Sequence, residues 1–180
     1  MRIRTTRWAG LWLLFATMSV WASTQPQSGT FEEGMAAYDE AVASQEPFHP
    51  GFKQALAILE PLSEQGNLPA RYHVGILYYL GAGGITIDQV QGITFIKEAA
   101  DAGYPTAQAF MGLLAENGDG MFVRRGEPYA LGWYLRAADG GQCAAMKRII
   151  AAYEKGELGL SQNPEEAEPF RERLEDCTRR

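Results

Sequence analysis

The feature of this chain that most constrains its fold is an internal repeat with a period of 37 to 38 residues. The segment that starts at Ala70 recurs from Ala107, and it recurs again from Ala145. A second segment, residues 95–103, recurs 38 residues later as residues 133–141. A fixed period of this length is typical of repeat proteins, in which stacked units bury a core that no single unit buries alone. The sequence therefore predicts a solenoid.

Each unit has the pattern of two helices joined by a glycine-rich loop. The first helix of the second unit gathers four residues on one face at helical spacing, namely Ala70, Val74, Leu77 and Tyr78. Gly75 interrupts this helix, and Gly112 stands at the same position one unit later. A glycine inside a helix lowers the stability of that helix, so its recurrence predicts that a neighbouring helix passes too close for a side chain.

Signals for the ends of the second helices recur with the same period. Three segments offer N-terminal caps or first-turn residues: Asp88, Glu127-Pro128 and Asn163-Pro164-Glu165-Glu166. Three glycines stand where left-handed C-terminal residues are expected: Gly66, Gly103 and Gly141. Prolines in the first unit, and Pro169 inside the last helix, indicate atypical terminal units that cap the array. The predicted fold is all-α, an α/α solenoid of about four helix-turn-helix repeats.

The repeat consensus is Ala-x-x-x-(apolar)-Gly-x-x-(Tyr/Ala)-x-x-Gly-x-Gly, followed by (Phe/Trp)-x-x-x-Ala-Ala-x-x-Gly. This pattern resembles the Sel-one-like repeat, a relative of the tetratricopeptide repeat, whose own unit is shorter at about 34 residues. The resemblance extends from about Phe31 to Cys177 and implies repeats at about 31–69, 70–106, 107–144 and 145–177. It also implies a concave surface, lined by the first helix of each pair, that binds a partner.

The N-terminal residues have the organisation of a secretory signal peptide. Three arginines precede an uncharged apolar run from Trp8 to Val20, which spans about 20 Å of helix and is too short to cross a bilayer. Residues 1–22 are therefore predicted to be cleaved, and residues 23–30 to form a short linker. We expect a periplasmic or secreted protein without stable membrane insertion after cleavage. An uncleaved helix in the membrane interface is the alternative.

The charge balance of the chain argues against a nucleic-acid partner. Its 16 Lys and Arg residues are outnumbered by 22 Asp and Glu residues, which gives a formal net charge of −6. Removal of the leader would take away three arginines and no acid, so the balance would become more negative. Because nucleic-acid binding depends on cationic contacts with phosphate, we expect no nucleic-acid partner, and the family resemblance implies a protein or peptide partner instead.

The two cysteines flank the last predicted helical hairpin. Cys143 stands just before its first helix, and Cys177 stands just after its second. These two ends lie together in an antiparallel hairpin, so a disulfide bond could close the terminal repeat in an oxidising compartment. Two free thiols, or a redox or metal role, are the alternatives, although the spacing matches no redox or zinc motif.

No residue pattern in the chain predicts catalysis, a metal site or a cofactor. The two histidines, His49 and His73, lie in different repeats and outside any metal-binding motif. The sequence contains no GxSxG or SxxK nucleophile motif and no phosphate-binding loop with a lysine. Its many carboxylates are typical of solvated helix surfaces, although a glycosidase pair of acids needs no sequence motif. We therefore predict no catalytic residue, no metal ligand and no cofactor.

The face of the first helices that packing leaves free predicts a binding surface. Its members are Arg71, Tyr72, Ile76, Tyr79, Gln108, Leu113, Glu116 and Lys147. Tyrosine beside arginine is typical of the residues that contribute most to protein interfaces. The alternative is that Tyr72 and Tyr79 pack against the next repeat.

The function that these features predict is non-enzymatic binding of a protein or peptide. The resemblance implies an adaptor or regulator in the bacterial envelope, because similar exported proteins act in envelope assembly, signalling and host contact. One alternative is a purely structural cap or subunit of a larger envelope complex, and the other is an envelope hydrolase that acts on peptidoglycan or a β-lactam. That activity would require a buried acid or nucleophile in a deep pocket.

Overall fold

The computed structural model describes residues 29–118 and 126–179. In these ranges the chain forms eight α-helices and no strand: α1 (Phe31–Ser44), α2 (Gly51–Glu64), α3 (Leu68–Leu80), α4 (Gln89–Asp101), α5 (Pro105–Asn117), α6 (Glu127–Asp139), α7 (Cys143–Lys155) and α8 (Glu168–Thr178). A short 3-10 helix, Ala82–Gly84, follows α3. The signal peptide predicted for residues 1–22 lies outside the described residues, as does most of the predicted linker.

The helices form four consecutive pairs, and each helix packs against its neighbours in the chain. One cluster of buried residues joins α1, α2 and α3, with Leu59, Val74 and Leu77 at its centre. A second cluster runs from α3 to the loop before α8, with Ile96 and Ile149 fully buried. Stacked helical pairs with a continuous interior are the arrangement of an α/α solenoid, so the predicted fold class is confirmed.

The close helix crossing that the recurrent glycines predict is confirmed. At Gly75 in α3, an added Cβ atom would lie 2.7 Å from Cγ1 of Ile96 and 2.8 Å from the carbonyl oxygen of Gly92. At Gly112 in α5, it would lie 2.9 Å from the ring of Tyr134 in α6. All three distances are shorter than van der Waals contact, so a side chain at either position would require the neighbouring atoms to move.

The helix ends follow the predicted signals in most units. The side chain of Asp88 caps α4 by accepting a hydrogen bond of 2.9 Å from the Gln91 amide. Gly66, Gly103 and Gly141 all have positive φ angles, between 85° and 95°, after α2, α4 and α6. These left-handed residues end the second helices as the sequence predicts.

The prediction for the start of the last helix was wrong. Asn163 does not cap a helix, because residues 164–167 form successive turns and α8 begins only at Glu168. Pro169 therefore lies in the first turn of α8 and not in its interior. The reason is that Leu158 and Ala167 are buried, which anchors the loop on the core until residue 167.

A disulfide bond joins Cys143, the first residue of α7, to Cys177 in the last turn of α8, with the two Cα atoms 5.9 Å apart. No residue of α8 is fully buried. The helix is otherwise held by the partly buried side chains of Phe170 and Leu174, which pack against the second cluster, and by polar contacts such as the 2.5 Å hydrogen bond from Nη2 of Arg173 to the Ala138 carbonyl. The disulfide is therefore the strongest single constraint on this terminal helix.

None of the described helices is both long enough and apolar enough to cross a membrane.

Candidate functional site

A groove of about 480 Å³ lies between α5 and α7, and its walls come chiefly from the first helices α3, α5 and α7. Its apolar side includes Tyr72, Ala109, Phe110 and Leu113. Leu113 is one of the few large apolar side chains in the described residues that stay exposed, at 44 % of its surface. A concave space with aromatic and aliphatic walls is the form that binding sites commonly take.

One side of the groove is a cluster of aromatic rings that fills the preceding interface, between α3 and α5. The ring of Tyr72 lies 5.7 Å from Tyr104 and 6.1 Å from Phe110. The ring of Tyr79 lies 6.0 Å from the ring of Phe110. These separations are those of edge-to-face and tilted aromatic pairs, so the cluster forms a rigid wall.

The opposite side of the groove is polar and is organised by Arg148 on α7. Its Nε donates to both carboxylate oxygens of Glu116, at 3.0 and 3.1 Å, and its Nη2 donates to Oε1 at 2.5 Å. The hydroxyl of Tyr134 donates to the other oxygen of Glu116 at 2.9 Å. Nη1 of Arg148 lies 2.8 Å from the Glu157 carboxylate. The network links α5, α6, α7 and the loop that follows α7.

The electrostatics of this network fix the charge of each member. The hydrogen bond from Arg148 lowers the pKa of Glu116 below its usual value of 4.5, and that of Tyr134 lowers it further. Burial and the bond to Glu116 raise the pKa of Tyr134 above its usual range. At neutral pH the groove therefore presents a carboxylate, a guanidinium and a neutral phenol, held in one geometry.

Replacement of Arg148 by methionine is expected to lower the free energy of unfolding by about 1 kcal/mol at pH 7, because Glu116 loses its charged partner. Since the folded-state pKa of Glu116 is depressed, this stabilisation is present above pH 4.5 and is lost as the pH falls through the folded value. Urea unfolding at pH 7 and pH 3.5 measures the difference.

The matched control for this change is Lys97→Met, which removes an exposed pair with Asp101 on α4. Exposed pairs contribute little, so the control is expected to change the free energy of unfolding by less than about 0.5 kcal/mol. A loss at Arg148 that is equal at both pH values would contradict the assignment of the stabilisation to the Glu116 carboxylate.

Three of the residues that the sequence predicts to bind a partner line the groove: Tyr72, Leu113 and Glu116. Tyr79 lies behind its aromatic wall, in contact with Phe110. Lys147 is exposed on α7. The structure thus brings part of the predicted surface together in one place. Tyr72 and Tyr79 both pack against the next repeat, as the alternative interpretation holds.

The other predicted binding residues do not line this groove. Arg71 donates from Nη2 to the Ser63 carbonyl at 2.7 Å, and its Nη1 lies 3.5 Å from Glu98. Ile76 and Gln108 are each only 7 % exposed, which departs from the surface position that the sequence pattern predicts. The physical reason is that the Gln108 amide turns to α4 and donates to the Ala100 carbonyl at 3.0 Å, and that Ile76 belongs to the second buried cluster.

Sequence reasoning missed the residues that shape the groove most, which are Phe110, Tyr134 and Arg148. The signal was available in the period, because Phe110 and Arg148 occupy the same place in successive units, 38 residues apart. Because this position is aromatic in one unit and cationic in the next, the two interfaces are expected to differ in polarity.

The two histidines contact neighbouring backbone and aromatic groups. Nδ1 of His49 accepts a hydrogen bond of 3.1 Å from the Gly51 amide. The His73 ring lies between Tyr38 and Tyr72, at 5.0 and 5.1 Å, and its burial lowers its pKa. Within residues 29–118 and 126–179, no group of three or more His, Cys, Asp or Glu side chains is placed to hold a metal ion.

The chain matches the model of a known repeat family. The family model of the Sel1 repeat matches residues 68–104, 105–142 and 150–168, which together make up just over half of the chain. A search of curated proteins found no match.

Solved structures with the same architecture include a Sel1 repeat protein from Oxalobacter formigenes, with a TM-score of 0.66, 22 % identity and 88 % of this chain covered. They also include a protective antigen with an SLR fold from uropathogenic Escherichia coli strains, with a TM-score of 0.59, 23 % identity and 82 % coverage. The match spans 63 % of the first protein and 33 % of the second. At this level of identity the likeness concerns the fold alone.

Proposed function

Because this chain belongs to the Sel1 repeat family, whose repeats generally mediate protein–protein interaction, we propose that it binds a protein or peptide in the groove between α5 and α7. The observation that carries the proposal is the groove itself, which places an exposed leucine and an aromatic wall opposite a rigid ion-pair network. Fold alone does not assign a function, so the proposal rests on this site.

The composition of the groove supports binding of a macromolecular partner. Tyrosine and arginine are the residue types that most often contribute strongly to protein interfaces, and Tyr72 and Arg148 stand on opposite walls. Both side chains are held by neighbours, so little conformational entropy would be lost when a partner binds. A rigid groove of this kind favours a segment that inserts side chains over a flat contact.

A non-enzymatic role is the better reading of the same geometry. A general acid at neutral pH needs a raised carboxyl pKa, whereas Arg148 lowers the pKa of Glu116. The two buried polar residues of the described chain, Ser63 and Gln108, do not line the groove. These observations favour a binding protein over the alternative of an envelope hydrolase.

We further propose that the protein is exported and acts as an adaptor or regulator in the bacterial envelope. The support is the signal-peptide pattern of residues 1–22, with a mature chain that begins near Ser23 and carries its repeats between about residues 31 and 177. The Cys143–Cys177 disulfide is compatible with an oxidising compartment, such as the periplasm or the cell exterior.

Replacement of Leu113 by serine is expected to weaken partner retention at least tenfold, because an exposed apolar contact in the groove is lost. The measurement is affinity capture from the native envelope, followed by titration of the captured partner. The matched control is Leu80→Ser, which alters an exposed leucine at the end of α3 that is not among the residues lining the groove. Equal retention by both variants would contradict this location for the site.

A further inference from the structure

The repeats of this chain supply an internal comparison for the groove. Between α3 and α5, four aromatic side chains fill the interface: Tyr72, Tyr79, Tyr104 and Phe110. They come from two first helices and from the turn that joins one unit to the next. In this interface, aromatic side chains of the chain itself fill the space between two adjacent first helices.

One unit later, the period places a different residue at each of these four positions: Ala109, Glu116, Gln142 and Arg148. The backbone register is conserved, because the landmark alanines at the start of the three helices, Ala70, Ala107 and Ala145, are all fully buried. The interface between α5 and α7 therefore has the same frame without these four rings, and the ring that lines it from within its own unit is that of Tyr134 in α6.

The change from Tyr72 to Ala109 is the one that opens space. Ala109 lines the groove together with Tyr72, Phe110 and Leu113, so three large apolar walls surround the place where its unit has no ring. The other changes put polar side chains among the residues that line the groove: Arg148 pairs with Glu116, and Gln142 donates to the Thr106 hydroxyl at 3.1 Å. The groove thus lies where the preceding unit has an aromatic side chain, Tyr72, and this unit has only Ala109.

The charged residues next to the groove indicate which kind of group would bind beside it. An adjoining hollow of about 520 Å³ shares Glu116 and Arg148 with the groove, and it is also lined by Glu127 and Glu157. The described residues that line it include three carboxylates and one guanidinium, and Arg148 pairs with both Glu116 and Glu157, so that Glu127 is the carboxylate outside this ion-pair network. The chain as a whole has a formal net charge of −6. Complementarity therefore favours a cationic group of the partner at this end.

We infer that the groove takes an aromatic side chain of the partner at the place left by Ala109, with a lysine or arginine of the same segment beside Glu127 and Glu157. This inference rests on the proposed function and names the chemistry of the partner. The occupant is a protein segment with an aromatic residue close to a basic one. An aromatic side chain buries a large apolar area and pairs with the rings of Tyr72 and Phe110, while the cation adds a salt-sensitive contact.

The test replaces Ala109 by tyrosine, which is the residue that the preceding unit has at the equivalent position, Tyr72. Random eight-residue peptides displayed on phage are selected on the wild-type protein, and the enriched peptides are synthesised and titrated. Wild type is expected to enrich peptides that carry Tyr, Trp or Phe within about three residues of Lys or Arg. Ala109→Tyr is expected to weaken their binding at least tenfold, whereas Ala57→Tyr, a matched change at an exposed position on α2, leaves it unchanged.

Enriched peptides without an aromatic residue, equal binding to Ala109→Tyr, or no enrichment at all would overturn the inference. If Ala109→Tyr does not fold, Ala144→Tyr supplies a second plug, because Ala144 is exposed and lines the same groove. The proposed function and this inference can be distinguished by experiment. An envelope partner that is lost with Leu113→Ser but kept with Ala109→Tyr would leave binding in the groove standing and would remove only the aromatic occupant.

Discussion

Replacement of both Cys143 and Cys177 by serine is expected to lower the stability of the α7–α8 unit by up to about 4 kcal/mol. The bond closes a loop with a sequence separation of 34, and its removal restores the chain entropy of that loop in the unfolded state. The effect is expected to be local, since α8 has no fully buried residue and packs on the core through partly buried side chains such as Phe170 and Leu174. Hydrogen exchange of the α8 amides measures the free energy of its opening.

Two comparisons make this result specific. Reduction of the wild-type protein with a thiol reagent is expected to reproduce the exchange of the double variant, and the variant is expected to show no response to the reagent. Amides in the centre of α3, such as those of Val74 and Leu77, serve as an internal control because they lie in a separate buried cluster. Unchanged protection of α8 in the double variant would show that its surface contacts suffice to hold it.

Replacement of Gly75 by alanine is expected to lower the free energy of unfolding by about 2 kcal/mol. Alanine improves helix propensity by about 1 kcal/mol, but overpacking at a tight contact costs up to about 3 kcal/mol. Overpacking dominates here, because the new Cβ atom would lie 2.8 Å from the backbone oxygen of Gly92 as well as 2.7 Å from Ile96. A backbone atom does not move aside as a side chain does, so α3 and α4 must separate.

The matched control is Gly132→Ala, in the interior of α6, where an added Cβ atom meets nothing within 4 Å. That change is expected to raise the free energy of unfolding by about 0.5 to 1 kcal/mol, through backbone entropy alone. Chemical denaturation of both variants measures the two effects. The same sign of change at both positions would contradict the assignment of Gly75 to a close helix crossing.

Most of the fold could be predicted from the period of the sequence. It predicted the helical pairs, the crossing at Gly75 and the left-handed glycines that end the second helices, because each of these features is local to one unit or to adjacent units. It failed where several units act together. The start of α8 moved to Glu168 because Leu158 and Ala167 tie the preceding loop to the core, and no local pattern in residues 163–166 reveals that contact.

The candidate site was harder to predict for a related reason. A helical wheel assigns one inner and one outer face, but each first helix contacts helices on more than one side. Ile76 and Gln108 are therefore buried although they lie off the main apolar stripe. The groove itself depends on Ala109 being small next to large neighbours from other helices. Only a comparison of equivalent positions between units could have indicated it.

The central claim is that the partner contacts the groove between α5 and α7, and crosslinking from within the groove tests it most directly. A photoreactive amino acid is placed at position 113 in one variant and at position 80 in another, since both native leucines are exposed. After irradiation in the native envelope, the products are identified by mass spectrometry. We expect one reproducible partner to be crosslinked from position 113 and not from position 80. Equal crosslinking from position 80, or none from position 113 to a partner that the protein captures, would contradict it.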